Sequence, residues 1–369
     1  MKKIFISGSV MSGKSTLFYL LDGHSKILAN VIHDKLINTL IDIKLKCIYD
    51  VDSLLNKGDR KLEKNVDVIS KKNNKKFNMS IFDLRNSLNK ANLNHLERYS
   101  FLKIYPNFFS RKNWTYLDFN FDFENFQKMW KDEIFNQKNK QILKLENLFE
   151  IFYKSYFIAW NDHNNIDINT NFNEKIFVSK LPNNIQSIEF IMEEKFDSKI
   201  IYVERDLIGT LKSRTLQYMI SQNFDIKNFD KYFYIMAKST FLDKLIKERK
   251  KIRLIQSKYP SQILITSLEK LVNKKREEIN KITDFCKINY EEILNFPTYC
   301  KLKIGNDHLD KVHDDEQPIS KSNNFFVNLR IGNFKYIKII DFLKFFNKSM
   351  IYIFLKLKKK LPFGQNIKR

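Results

Sequence analysis

The chain has 369 residues, of which 43% are hydrophobic, so it is long enough to bury a large core. Its formal net charge of +23 favours an anionic partner, but only 11 of the 65 basic residues are Arg. Heavy use of Lys, Asn, Ile and Phe is typical of an AT-rich coding sequence, which accounts for much of this charge. Because base-specific contacts rely on Arg, the composition argues against dedicated nucleic-acid recognition.

Cysteine usage and the absence of targeting signals predict the compartment. Cys47, Cys286 and Cys300 are far apart in sequence and fit neither a metal-binding motif nor a disulfide framework, so we expect reduced, buried packing residues. The N-terminus leads directly into a predicted strand, and no uncharged apolar stretch is long enough to span a bilayer. We therefore expect a cytoplasmic protein.

Residues 8–15 match the pattern G-x-x-x-x-G-K-[ST] in full. An apolar run precedes them as a predicted strand over residues 2–7. A predicted helix follows and ends near Asp22 and Gly23, with Gly23 as its C-terminal cap. Glycines allow several backbone N–H groups to point at one anion, while the helix dipole and Lys14 add positive charge. The segment is interpreted as a loop that binds a phosphate or sulfate ester.

Three further strands are predicted, over residues 175–179, 198–204 and 262–266, with helices starting near residues 182, 207 and 275. Alternating strands and helices predict a mostly parallel sheet covered on both faces. The predicted fold is α/β, a three-layer α/β/α P-loop (NTPase-like) arrangement over residues 1–320. Residues 54–161 lack strand-like alternation and are predicted to be a helical insertion. Residues 321–369 are predicted to form a basic, aromatic-rich helical extension.

Arg205 and Ser213 form a second group of candidate ligand-binding residues. Arg205 ends the predicted strand 198–204, and Ser213 follows eight positions later in the next predicted helix. A guanidinium and a hydroxyl in these places can converge on one phosphate. The alternative is a surface pair between Arg205 and Asp206, with Ser213 exposed to solvent.

These motifs resemble sulfotransferases that use 3′-phosphoadenosine 5′-phosphosulfate. Residues 11–17 and 20–24 resemble the family's 5′-phosphosulfate loop and helix, and residues 199–206 with Ser213 resemble its 3′-phosphate element. Shorter similarities follow in the same order at residues 179–182, 268–272 and 296–298. The resemblance implies that the 5′-phosphosulfate is held by Ser12, Gly13, Lys14, Ser15 and Thr16. It implies further that Arg205 and Ser213 hold the 3′-phosphate and that no metal is required.

The chain departs from the family pattern at the catalytic positions. The family has Arg or Lys where this chain has Met11, and Thr where it has Lys14. Negative charge builds on the leaving nucleotide, so Lys14 is the candidate catalytic cation. Lys180 aligns near a position that is His or Lys in relatives and is expected to contact an anion. His33 and Asp34 are the candidate general bases.

Two alternatives to a sulfotransferase stay open. A kinase or NTPase fits the Lys14–Ser15 ending of the loop, but it needs a second carboxylate for magnesium, and only residues 204–206 offer acids at a strand end. A non-catalytic nucleotide-binding relative fits the departure at Met11.

For the acceptor we predict only a chemical class, and for the C-terminal segment we predict two alternative roles. Relatives suggest a hydroxyl of a carbohydrate or glycolipid as the acceptor. Residues 339–361 mix large apolar residues with lysines, which favours a final helix packed on the domain. The alternative is peripheral contact with an anionic membrane, which suits a lipid-linked acceptor.

Overall fold

The fold is described from a computed structural model. The described residues are 2–33, 37, 41, 65–69, 76–80, 129, 142–159, 171–181, 185–299, 302–303 and 319–331. Their strands are β1 Lys2–Gly8, β2 Ile27–His33, β3 Asn65–Ile69, β4 Lys76–Ser80, β5 Ile142–Lys144, β6 Ile176–Lys180, β7 Ser198–Glu204, β8 Ile263–Ser267, β9 Thr298–Tyr299 and β10 Leu302–Lys303. Their α-helices are α1 Lys14–Asp22, α2 Leu145–Ala159, α3 Ile185–Glu193, α4 Leu207–Ser221, α5 Phe229–Lys238, α6 Thr240–Lys258, α7 Leu268–Asn273, α8 Lys275–Cys286 and α9 Lys321–Arg330.

A five-stranded parallel sheet has the order β2-β6-β1-β7-β8. The central strands β1, β6 and β7 are buried along most of their length, as expected for strands covered on both faces. Right-handed crossovers put α1, which leads from β1 outward to β2, on the opposite face from α3, which leads from β6 to β7. The predicted α/β fold is confirmed.

Aromatic side chains fill one part of the core. Phe149, Tyr153 and Phe157 recur along one face of α2 and contact Phe177 of β6, with ring centroids 5.3, 4.2 and 5.9 Å away. The Lys3 ammonium of β1 is buried beside the same helix and pairs with Glu146 at 2.9 Å. Because α2 contacts the main sheet this closely, its packing helps to fix β1, the strand that leads into the phosphate loop.

The predicted strands of the main sheet agree with the structure, and one further strand was not predicted. β7 has the predicted bounds, while β6 and β8 are each shifted by one residue. The strand β2 was missed, because its polar residues Asn30 and His33 interrupt the apolar run. Gly23 is the C-terminal cap of α1, as predicted, but its φ of −68° is right-handed, so close packing explains why the residue is glycine. A Cβ there would lie 2.7 Å from Ile293.

The purely helical interpretation of residues 54–161 is wrong. The segment contains a three-stranded sheet of order β4-β3-β5, in which β3 and β4 are antiparallel. Strand β4 alternates polar and apolar residues throughout and β3 does so up to Val68, but each strand has only five residues, so the signal of a half-buried strand is short. The boundaries of the insertion, and of the predicted domain and extension, stay a prediction.

The chain divides into two compact units, residues 1–205 with 251–311 and residues 206–250 with 312–369. The first contains the parallel sheet. The second has a separate apolar cluster that includes Leu211, Phe233 and Val327, contributed by three of its helices. In this unit the Arg330 guanidinium also pairs with Asp243 at 2.7 Å.

No helix of the described residues is long and apolar enough to cross a membrane. Cys286 is buried at the end of α8, and burial raises the pKa of its thiol to about 12, which suits the predicted packing role. Cys47, Cys300 and residues 339–361 lie outside the described residues, so their predicted roles stay predictions.

Candidate functional site

The predicted phosphate loop connects β1 to α1. Gly8 ends β1, and Lys14 is the first residue of α1. The backbone is left-handed at Met11, with φ of 61°, and at Gly13, with φ of 86°. Gly13 precedes the helix without a side-chain cap, and the N–H groups of a first helical turn have no intrahelical partners. The loop therefore has the backbone geometry and dipole of an anion site.

Close packing explains both glycines of the loop. A Cβ on Gly8 would collide with the Ser12 hydroxyl and with the backbone carbonyl of Val203. A Cβ on Gly13 would lie 2.6 Å from the Leu268 side chain, at the start of α7. The Ser12 hydroxyl is buried and has no hydrogen-bond partner within the described part of the chain. Its position in the loop leaves it able to donate to an anion.

The register of the sheet brings three predicted site elements to one edge. Ile6 of β1 pairs with Lys180 of β6, and Gly8 pairs with Val203 of β7. The loop, Lys180 and Arg205 thus all follow the carboxyl ends of adjacent parallel strands. Ligands of open α/β sheets bind at this edge.

Lys14 extends from the first turn of α1 toward the end of β6. Its side chain is buried, with 7% of the residue exposed, and the ammonium donates a hydrogen bond of 3.2 Å to the carbonyl of Leu181. The Leu181 amide in turn donates to the carbonyl of Ile6 at 2.9 Å. Lys14 of α1 is therefore hydrogen-bonded to Leu181, the residue after β6, which is itself hydrogen-bonded to β1.

Lys180 is a second buried cation, with 5% of the residue exposed. Its ammonium lies over the rings of Phe18 and Tyr19 on α1, 4.7 and 5.3 Å from the centroids. Burial and then the charge of Lys14 lower the pKa of Lys180 to about 7, while the Asp22 carboxylate partly offsets both. Two cations that repel each other inside a protein are stabilised when an anion binds nearby.

Asp22 was not identified from the sequence, although a signal for it exists. Lys14, Phe18 and Asp22 are spaced by four residues on α1, which places them on one helix face. Asp22 is buried, and a buried carboxylate needs a charged partner. Lys180, at the end of the neighbouring strand β6, is that partner. The contribution of Leu181 was not predicted either, because its backbone carbonyl, and not its side chain, accepts the hydrogen bond from Lys14.

Arg205 directly follows β7 and is buried in the first unit. Asp206 caps α4, since its carboxylate accepts from the amides of Ile208 and Gly209 at 2.8 and 3.0 Å. The alternative of an Arg205–Asp206 pair stays open beside this capping role. Ser213 lies in α4, which belongs to the second unit, so its convergence with Arg205 on one phosphate stays a prediction.

The two candidate bases are only partly described. His33 ends β2, and its Cα pairs in register with that of Lys180, so the backbone of His33 reaches the ligand edge of the sheet. Its side chain and all of Asp34 lie outside the described residues. Ser15 and Thr16 lie half-buried in the first turn of α1, beside Lys14.

The acids near the end of β7 are engaged in the protein. Glu204 pairs with Arg253 at 2.8 Å, and Asp206 caps α4 as described above. Both carboxylates therefore have partners within the protein, although Oε1 of Glu204 is buried without a hydrogen bond in the part of the chain that the structure describes. The kinase or NTPase alternative, which needs a second carboxylate for magnesium, stays a prediction. Across the described ranges, no three His, Cys, Asp or Glu side chains are grouped to hold a metal ion.

Comparison with known proteins supports one of the predicted families. A model of the sulfotransferase family matches residues 4–292, a range that includes the loop, Lys180, Arg205 and all of the parallel sheet except the first two residues of β1. The chain therefore belongs to the sulfotransferase family, and the predicted resemblance is confirmed. A comparison with curated proteins gives no significant match.

Three solved structures are similar at low sequence identity. A sulfotransferase domain from the olefin synthase of Synechococcus PCC 7002 is 14% identical, with 92% of this chain and 96% of that one covered and a TM-score of 0.43. A sulfotransferase domain from the curacin biosynthetic pathway is 14% identical, with 83% and 81% covered and a TM-score of 0.39. The sulfotransferase STF9 from Mycobacterium avium is 13% identical, with 79% and 65% covered and a TM-score of 0.33.

Replacing Lys180 by Met tests whether the buried cation destabilises the unliganded fold. A lowered pKa means that the folded state disfavours the charged lysine, and this penalty is complete below pH 7. It decreases as the pH rises above 7 and vanishes above the unfolded pKa near 10.5. We expect Lys180→Met to be more stable than the wild type at pH 6, with a difference that narrows toward pH 9.

Urea unfolding at several pH values measures this difference, and Lys175→Met, just before β6, is the matched control. If the difference in free energy of unfolding between Lys180→Met and the wild type did not change with pH, the result would contradict an unfavourable charge at Lys180. The same pH dependence in Lys175→Met would also contradict it.

Proposed function

We propose that this chain transfers a sulfuryl group from 3′-phosphoadenosine 5′-phosphosulfate to a hydroxyl group of an acceptor. The observation that carries the proposal is the pair of buried lysines, Lys14 and Lys180, beside the phosphate loop. Membership of the sulfotransferase family supports the reaction type. The identity of the donor is taken from the family resemblance.

The loop is proposed to hold the 5′-phosphosulfate. Ser12, Gly13, Lys14, Ser15 and Thr16 supply backbone amides, hydroxyl groups and one ammonium at the start of α1. Arg205 and Ser213 are proposed to hold the 3′-phosphate. A guanidinium binds two phosphate oxygens at once, and the serine hydroxyl donates to the same group. No metal is needed in this scheme.

In the proposed reaction the acceptor oxygen forms a bond to sulfur while the bond from sulfur to the bridging oxygen breaks. The electron pair of the broken bond stays on the bridging oxygen, so 3′,5′-adenosine bisphosphate leaves with an additional negative charge. Lys14 stabilises this charge, and Lys180 adds a second positive charge nearby. The acceptor proton passes to a base, for which His33 and Asp34 are the proposed candidates.

The proposed acceptor is a hydroxyl of a carbohydrate or glycolipid, as the family resemblance suggests. A cytoplasmic location belongs to the same proposal.

Titration with 3′,5′-adenosine bisphosphate tests the donor assignment. We expect the bisphosphate to bind more tightly than ATP with magnesium, because ATP has no 3′-phosphate. Arg205→Ala should weaken bisphosphate binding by about 1.5–3 kcal/mol, since a charged hydrogen-bond partner is lost. Calorimetry at fixed salt measures both ligands.

Arg276→Ala is the matched control for this titration. Arg276 lies on α8, is largely exposed and forms an ion pair with Glu292. Tight binding of ATP without a response to the bisphosphate would overturn the assignment. Equal affinities of Arg205→Ala and the wild type would remove Arg205 from the site.

A charge exchange between positions 11 and 14 tests the role of Lys14. We expect Lys14→Thr to lose about 10²- to 10³-fold in turnover, as expected when a group that stabilises the leaving charge is removed. Adding Met11→Lys to that variant restores the family pattern and should recover part of the loss. Met11 already has a positive φ, so a lysine there introduces no new backbone strain.

Release of 3′,5′-adenosine bisphosphate from the donor, in the presence of mixed glycan and glycolipid acceptors, measures turnover. Met11→Leu controls for packing at position 11. Full turnover by Lys14→Thr would contradict the assignment of Lys14. No turnover by the wild type, together with tight bisphosphate binding, would favour a non-catalytic binding protein.

A further inference from the structure

Asp22 is a buried carboxylate in an unfavourable place. It is the last residue of α1, and only 2% of the residue is exposed. The C-terminal end of a helix has partial negative charge that repels a carboxylate, and burial removes the water that solvates it. The last turn of α1 contains no basic residue. The compensating positive charge therefore comes from another element of the fold.

His24, two residues after Asp22, does not supply that charge. Its Nδ1 accepts a hydrogen bond of 3.1 Å from the Lys26 amide, so this ring nitrogen has no proton. Its Nε2 donates to the carbonyl of Asn289 at 2.9 Å. An imidazole with one accepting and one donating nitrogen is neutral.

The Lys180 ammonium lies beside the middle of α1, between Lys14 and Asp22. It is 4.7 Å from the centroid of the Phe18 ring. Phe18 is four residues after Lys14 and four before Asp22, so about 6 Å of helix axis separates it from each. The Cα–Cβ bonds of a helix tilt toward its N-terminus, which directs the Asp22 side chain back toward Phe18. The ammonium therefore has a cation toward one end of this helix face and a carboxylate toward the other.

The elements packed on the end of β6 bring these charges to Lys180. In the flanking strands β1 and β2, the Cα partners of Lys180 are Ile6, which is apolar, and His33, whose side chain lies outside the described residues. From α1, the charge of Lys14 adds to burial in lowering the pKa of Lys180, whereas the Asp22 carboxylate raises it. The two charged residues of α1 thus act on Lys180 in opposite directions.

We propose that Asp22 is a positioning residue of the transfer site, which keeps the Lys180 side chain charged against the rings of α1. Its purpose rests on the proposed sulfuryl transfer, because a neutral amine does not stabilise the charge that builds on the leaving oxygen. Asp22 touches neither the donor nor the acceptor in this scheme and acts through Lys180. Its interaction with Lys180 exists in the protein without any ligand.

NMR titration of the full chain, labelled with ¹³C at the lysine Cε atoms, tests the interaction without a ligand. The signal that is missing from Lys180→Met identifies Lys180, and we expect it to titrate near pH 7 in the wild type. In Asp22→Asn it should titrate about one pH unit lower or more, because a nearby opposite charge is removed. In Lys14→Thr it should titrate at higher pH, because a repelling charge is lost.

Asp197→Asn is the matched control, since Asp197 is exposed and directly precedes β7, at the opposite edge of the sheet. It should leave the titration of Lys180 unchanged. Thermal melting shows whether each variant folds. Asp22→Ser is the second variant if Asp22→Asn does not fold, and it should shift the titration in the same direction.

The pH dependence of kcat/KM for the donor tests the functional role, because it reports ionisations of the free enzyme. The charged form of Lys180 exists below its pKa, so kcat/KM should fall as the pH rises above 7. With that fall one pH unit lower, Asp22→Asn should be about tenfold slower than the wild type at pH 8 and nearly equal at pH 5. In a Lys180→Met background the substitution at Asp22 should leave the pH profile unchanged.

Three results would overturn the proposal. If Lys180 titrates in Asp22→Asn as it does in the wild type, the charge interaction is absent, whatever reaction the chain catalyses. If Asp22→Asn lowers kcat/KM by the same factor at pH 5 and pH 8, its role is structural. If the titration shifts as expected but the wild type neither binds 3′,5′-adenosine bisphosphate nor turns over the donor, the proposed function fails and the positioning role with it.

Discussion

The candidate site depends on the burial of two lysines close to each other. Lys14 is held by the carbonyl of Leu181, and Lys180 lies against the rings of α1, so both ammonium groups are removed from water. Burying like charges is unfavourable, as the lowered pKa of Lys180 shows. Such an arrangement is retained when a ligand supplies the missing negative charge, and the phosphate loop lies beside it.

In the proposed mechanism the same lysine pair compensates for the lack of a basic residue at position 11. The position carries Met11, whose left-handed backbone keeps the loop in shape without supplying a charge. In the proposed mechanism Lys14 supplies the cation from three residues further along the loop. By this proposal, the positive charge near the leaving group is kept while the residue that carries it changes.

Much of the fold was predictable because its signals are local. The loop lies between an apolar strand and an apolar helix, and β7 has the bounds that its β-branched run predicts. Polar residues interrupt the apolar run of β2, and β3–β5 have only three to five residues each, so pairing with other strands defines all four more than their own sequence does. Similarly, the sequence identified Lys14 and Lys180, but their mutual repulsion and the opposing Asp22 arise only from packing.

Proton uptake on ligand binding tests the central claim most directly. At pH 8 a lysine with a pKa of about 7 is mostly neutral, and an anion bound nearby raises that pKa, so the protein must take up a proton. Calorimetry with 3′,5′-adenosine bisphosphate in buffers of different ionisation enthalpy should show uptake approaching one proton at pH 8 and none in Lys180→Met. Equal heats in all buffers for the wild type would show that the lysine pair does not respond to the ligand, and would contradict the account.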